Sequence, residues 1–318
     1  MNNENSEPRA GCSILIGCGS VILIVLIIFS IVVSAALSGY MTEIDMLMQS
    51  GDQERLRLYL DSIMADVFSE IDELGLDLLL ILVFSAQIVV IFFVFKLIYK
   101  RPVSQMGLST RKWLKWLGLG LVTGIVAVTM HTFLAIPTSA AIIRDFDIRK
   151  LLTLDVVTSL ILLVSIGFAE EILCRGFLMT ALKTTRNKVL IIALPAMIFG
   201  FLQIYSADTT TPGVINHILK GLAFAYMFIK TGSLWMPIGF HISWNFFRWN
   251  ILGIQTGGLE LSSSPEYDTT GSEILAGGYG ILGGLIYSFV ILCLLTYIHF
   301  GVKNNDPPWT MESDLPFN

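Results

Sequence analysis

The chain has 318 residues, 54% of them hydrophobic and only 14% charged, with a mean hydropathy of +0.73 and a formal net charge of −5. A soluble domain carries about 25% charged residues, so this composition excludes a soluble globular protein and indicates an all-α polytopic membrane protein. No basic patch is present and the aromatic residues lie in apolar runs, so no nucleic-acid partner is expected.

Apolar stretches of about 17–25 residues are long enough to cross the hydrocarbon layer as helices. Eight are read along the chain, at 13–37, 77–99, 114–136, 154–179, 187–204, 214–230, 234–252 and 274–299. The first contains Leu15-Ile-Gly-Cys18, which looks like a lipoprotein cleavage site. A signal peptide needs its apolar core before that point; here the core, Val21 to Leu37, follows it, so 13–37 reads as a retained membrane helix. The four cysteines, Cys12, Cys18, Cys174 and Cys293, show no spacing that suggests a disulfide or a zinc knuckle.

Segment 38–76 is acidic, and Leu56, Leu58, Leu60, Ile63, Met64, Val67, Phe68 and Ile71 recur within it at helical spacings. An amphipathic extracytoplasmic helix is predicted over 43–75, its apolar face on the bundle or at the headgroups. Segment 96–115 is basic, with Lys96, Lys100, Arg101, Arg111, Lys112 and Lys115, and 183–188 holds Lys183, Arg186 and Lys188. Segment 253–273 carries Glu260, Glu266, Asp268 and Glu273 without Lys or Arg. The positive-inside rule then puts the basic loops and both termini in the cytoplasm. The tail 303–318, with Pro307-Pro308, reads as disordered.

The fourth apolar run contains Glu170, Glu171 and Arg175. A charged residue at mid-bilayer costs roughly 2.5–3.5 kcal/mol on an insertion scale, so a cluster there marks a functional site. Glu171 and Arg175 are four residues apart and should pair on one helix face. Glu170 is rotated about 100° from its neighbour and is expected to face another surface, free to act as a general base. The plainer possibility is a charge cluster that only locks helices together. In the seventh run, His241 and Asn245 share a face and could hold an oxyanion; equally, they could tie helices together. Arg248, one turn on, is expected to snorkel to the outer interface. Near the end of the fifth run stands Phe199-Gly-Phe-Leu-Gln203.

Together these segments resemble the CPBP family of intramembrane proteases, which includes the prenyl-protein (CAAX) endopeptidases and bacterial proteins linked to bacteriocin processing and immunity. Its Glu-Glu-x-x-x-Arg motif is matched by Glu170, Glu171 and Arg175, and its His-x-x-x-Asn/Asp motif by His241 and Asn245. In its Phe-x-x-x-His motif Phe199 matches, but Gln203 stands in place of the histidine. The resemblance covers 113–252 and implies a CPBP-type core there, after an N-terminal region (1–112) with two membrane helices and before a C-terminal region (253–318) with the last helix.

The resemblance implies that Glu170 activates a water, that His241 and Asn245 stabilise the oxyanion, and that Glu171 and Arg175 orient the site. Gln203 would position the water, since glutamine cannot accept its proton and is a poor metal ligand. No cofactor, and in particular no zinc, is therefore expected. His217 could substitute for the absent histidine or bond within the bundle; His131 and His299 are placed near the membrane interfaces without a role. The expected function is an intramembrane glutamate-type endopeptidase in a bacterial cell membrane, acting on membrane-embedded or lipidated peptides. The alternative is a pseudoprotease acting as a scaffold, regulator or immunity factor; no internal repeat of the kind that builds transporters is seen. An enzyme needs Glu170, Gln203, His241 and Asn245 around one site, and Glu170 turned away from His241 would contradict it.

Overall fold

A chain in lipid has no water to satisfy its backbone, so its apolar runs close their hydrogen bonds internally as helices. The computed structural model describes residues 19, 41–59, 62, 73–135, 142–143, 153–203, 211–252, 267–268 and 284–302. The predicted first helix, the distal part of the acidic segment (63–71 included) and the tail 303–318 lie outside these residues.

Among the described residues the architecture is helical: α1 (Met41–Ser50), α2 (Glu73–Tyr99), α3 (Trp113–Ala135), α4 (Leu154–Thr185), α5 (Lys188–Leu202), α6 (Thr211–Thr231), α7 (Trp235–Phe246) and α8 (Leu285–Gly301). A two-residue antiparallel bridge joins Ile142–Ile143 to Tyr267–Asp268. Four helices, α2, α3, α4 and α6, are long and apolar enough to cross a membrane; α5 and α8, of 15 and 17 residues, are shorter. This is an all-α polytopic membrane protein.

Two expectations change. The amphipathic segment is not one helix: α1 ends at Ser50, Gly51 adopts a φ of +73°, and a new helical stretch starts at 53. Glycine reaches that left-handed conformation without strain, and Asp52 then accepts the Arg55 amide at 3.0 Å as the new helix cap. The fourth helix also runs past the predicted end at 179, to Thr185, and passes through a π-helical turn at Ile172–Leu178.

The central element is α7. Every residue from Met236 to Asn245 is buried, so it is a core helix walled by others rather than a lipid-facing one. It packs most closely on α3, and the reason is small residues. A Cβ on Gly124 would sit 2.7 Å from the Phe240 carbonyl oxygen, and one on Gly239 would sit 2.5 Å from the Leu117 carbonyl oxygen. Small residues let backbones approach where burial of apolar surface supplies no drive. Gly232, at φ +62°, makes the turn from α6 into α7, its amide donating to the Phe228 carbonyl at 2.8 Å.

Replacing Gly124 by leucine should therefore destabilise the protein by about 1–3 kcal/mol through overpacking. Gly118→Leu, on the same helix where an added Cβ meets nothing within 4 Å, should stay within about 0.5 kcal/mol of the parent. Thermal unfolding of the two variants in detergent makes the comparison; equal midpoints would contradict the close α3–α7 seam.

Candidate active site

Glu171 and Arg175 pair as their spacing predicts, with the Arg175 Nη1 donating to Glu171 Oε1 at 2.9 Å and both side chains fully buried. The π turn begins immediately after Glu171 and carries Arg175 within it. Single π turns inside helices recur at functional sites. The second guanidinium nitrogen, Nη2, donates to the Gly221 carbonyl of α6 at 2.9 Å. The guanidinium lies over two rings, 4.6 Å from the centre of Phe199 and 5.0 Å from that of Phe224. Charge pairing, a carbonyl and two π faces thus replace much of the water this cation gives up, while its Nε is buried without a hydrogen-bond partner among the described residues.

His241 is where the two glutamates meet. Its Nδ1 is 3.2 Å from Glu171 Oε1 and its Nε2 is 3.6 Å from Glu170 Oε2. Sequence spacing separates the two carboxylates around the α4 axis, yet one imidazole reaches both because its nitrogens point in different directions. Glu171 accepts from Arg175 as a carboxylate, and a carboxylate has no proton to donate. Nδ1 of His241 must therefore carry the hydrogen, which leaves Nε2 as the atom turned to Glu170. The ring is held edge-on to Phe199 at 6.0 Å and lies 5.3 Å from Phe224. Gly167, one turn before Glu171, clears the space: a Cβ there would be 3.1 Å from Ile242 Cγ1 and 3.7 Å from His241 Cβ.

Glu170 differs from its neighbour in exposure, 17% against 0%. Gln203, the residue following α5, brings its Nε2 to 3.5 Å from Glu170 Oε1. Both of Glu170's contacts are long for direct hydrogen bonds, and its Oε2 is buried without a hydrogen-bond partner among the described residues, so this carboxylate keeps acceptor capacity for a water. Glu170, Glu171, Arg175, Gln203 and His241 are thus brought together. Asn245 is buried on α7, 7% exposed, and makes no hydrogen bond to any of these five. Arg248 does not snorkel: it is 6% exposed, in a second π turn at Phe247–Ile251, with its guanidinium 5.4 Å from the Trp249 ring centre. The reason is position, since α7 is enclosed on all sides and its last turn remains inside the bundle. His131 is buried as well, at 2% exposure, between Trp244 and Tyr287. His299 accepts or donates at 2.6 Å with Tyr226 on the α6–α8 flank.

Residues that the sequence reading passed over complete the site. Phe224 walls both Arg175 and His241. Lys220, on α6, is 3% exposed and lies 5.4 Å from the Phe224 ring and 5.6 Å from the Trp244 ring. The cost of charge in an apolar run, which singled out α4, applies equally to Lys220 in the middle of the run 214–230. For a metal, the donor set is poor: among the described residues no three His, Cys, Asp or Glu side chains are arranged to hold one, and zinc sites of the usual kind need that many.

Residues 152–247 match the family model described as type II CAAX prenyl endopeptidase Rce1-like. That span contains all seven motif positions, from Glu170 to Asn245, so the resemblance carried by the motifs is borne out over it. The chain is also similar to the uncharacterized protein YyaK of Bacillus subtilis (strain 168), at 28% identity over 127 residues, 39% of this chain and 42% of that protein. The chain thus matches less than half the length of this relative. No solved structure matches the chain. The matched family is one of CAAX-type proteases, and the long apolar helices make this an integral membrane protein.

Removing one partner of a buried ion pair leaves the other charged and unsolvated. Arg175→Met should cost about 3–5 kcal/mol, and adding Glu171→Leu should recover part of that loss. Thermal or denaturant unfolding of the single and double variants reads this directly; additive losses would contradict a coupled pair.

Proposed function

We propose that the protein is an intramembrane glutamate-type endopeptidase that hydrolyses peptide bonds of membrane-embedded or lipidated substrates. The observation that carries this reading is the bridging of Glu170 and Glu171 by one imidazole, with Glu170 the partly exposed member.

Glu170 draws a proton from a water held between its carboxylate and the Gln203 amide. The resulting hydroxide adds to the substrate carbonyl carbon, and the carbonyl oxygen becomes an oxyanion. His241 donates to that oxyanion from Nε2, using the proton that Glu170 has taken from the water and passes to the ring across their 3.6 Å contact. Glu171, fixed by Arg175, accepts the Nδ1 hydrogen and so holds the ring in orientation, the task a buried carboxylate performs behind a catalytic histidine. Asn245 lies one helical turn beyond and would complete the oxyanion site by a side-chain movement on substrate binding, since catalytic hydrogen bonds commonly tighten only in the complex. The C–N bond then breaks and the amine nitrogen leaves with a proton. No metal enters this scheme. The site lies in a bacterial membrane with both termini cytoplasmic, and its partners are lipids and the peptide chain that enters from them.

Quantitative profiling of new protein N-termini in membranes carrying the wild type, Glu170→Ala or Gln203→His tests this reading. Cleavage products present in the wild type and lost in Glu170→Ala are expected, with a drop of at least about 10² in rate. Cleavage found only with Gln203→His would instead identify a protease frame disarmed at its second motif. No difference among the three at equal expression would favour a scaffold, regulator or immunity factor.

A further inference from the structure

Lys220 is a buried cation that the proposed mechanism does not use. It sits on α6 one residue before Gly221, whose carbonyl receives Arg175. Its ammonium shares the Phe224 wall with Arg175 and His241 and also faces Trp244. Among the described residues it makes no direct ion pair, so the ammonium stands off the carboxylates of Glu170 and Glu171, within range of their charge and of His241. Arg175, Arg248 and His217 are its remaining charged or titratable neighbours. Glu171 is committed to Arg175, so Glu170 is the carboxylate left to exchange a proton with Lys220 through an intervening water.

The second motif, meanwhile, is one proton carrier short. Gln203 can hold a water but can neither take nor give a proton at neutral pH. His217 is the other basic side chain on this face of α6. Its charged neighbours are Lys220, Arg248 and His241, and neither glutamate acts on it. A lysine ammonium has three donors, and a buried lysine exchanges its proton far more readily than an arginine.

We infer that Lys220 is a further catalytic residue, the proton donor to the leaving amine, supplying the function that Gln203 cannot supply. The inference rests on the protease reading above. As the tetrahedral intermediate collapses, the C–N bonding pair goes to nitrogen, which takes a proton from the Lys220 ammonium. As the oxyanion collapses His241 returns to Glu170 the proton that came from water, and the neutral Lys220 amine recovers it from the Glu170 carboxylic acid through an intervening water. Both residues return to their starting states, and water and a peptide bond have become a carboxyl and an amine.

Two variants separate this chemistry from packing. Lys220→Arg keeps the charge and the contact with Phe224 and Trp244 but scarcely gives up a proton; Lys220→Met removes both charge and donor. With the substrates found by N-terminal profiling, both variants should slow cleavage by about 10²–10⁴, while Lys220→Arg keeps wild-type thermal stability. Adding Gln203→His to Lys220→Arg should restore cleavage by about tenfold or more. Wild-type cleavage by Lys220→Arg would overturn the inference, because charge and packing would then suffice. A readout free of proteolysis keeps it separable from the protease reading. ¹⁵N NMR of lysine-labelled protein, with the Lys220 signal assigned by its loss in Lys220→Met, should show an Nζ resonance that moves in Glu170→Gln. A resonance unmoved by Glu170→Gln would overturn the placement. A moved resonance with no wild-type cleavage would instead overturn the protease reading, and the donor role with it.

Discussion

A fully buried guanidinium has to be answered inside the bundle, and the arrangement around Arg175 follows from how that is done. One nitrogen goes to Glu171, another to the Gly221 carbonyl, and the flat faces meet Phe199 and Phe224. Three helices, α4, α5 and α6, are tied together by those contacts. Glu171 is thereby kept as an acceptor, so the hydrogen on His241 is directed to Nδ1 and Nε2 is presented to Glu170. The orientation of His241 towards Glu170 is thus a consequence of neutralising a charge elsewhere. Of the two adjacent glutamates, one satisfies the arginine and the other makes no contact with it.

The fold serves the same end through α7. Polar side chains on a helix that faced lipid would be exposed to hydrocarbon, whereas α7 is enclosed along its length. Glycines on α3 and α7 let these two backbones approach, and Gly167 lets α4 come up to His241. Close backbone approach limits the freedom of the helix that carries the imidazole, and a site held to a fraction of an ångström needs such support. The second π turn, at Phe247–Ile251, keeps Arg248 inside the same enclosure.

Much of this was legible in the residues. Charge in an apolar run pointed to α4, and four-residue spacing pointed to the Glu171–Arg175 pair, which persists even though a π turn begins between them. The convergence of His241 on both glutamates was not legible from local rules, because 70 residues separate His241 from Glu171; only the resemblance to the CPBP family placed them together. Rotation about the helix axis suggested that Glu170 and Glu171 serve different surfaces, and it overlooked that one ring can serve both. Lys220 was missed although the insertion-cost argument applies to it, since a single lysine has no motif to draw the eye. The outward placement of Arg248 failed for a related reason: proximity to the end of a span says nothing about whether its neighbours enclose it. The break at Gly51 could have been read from Gly-Asp, a turn followed by a helix cap.

The orientation of His241 by Glu171 is the point on which the mechanism turns, and ¹⁵N NMR of histidine-labelled protein in lipid nanodiscs addresses it. The chain has four histidines, His131, His217, His241 and His299, so His241→Gln assigns the signal by subtraction. The account predicts a protonated Nδ1 on His241, with a resonance that shifts in Glu171→Gln. A neutral ring protonated only at Nε2 would set a lone pair against the Glu171 carboxylate and would contradict it.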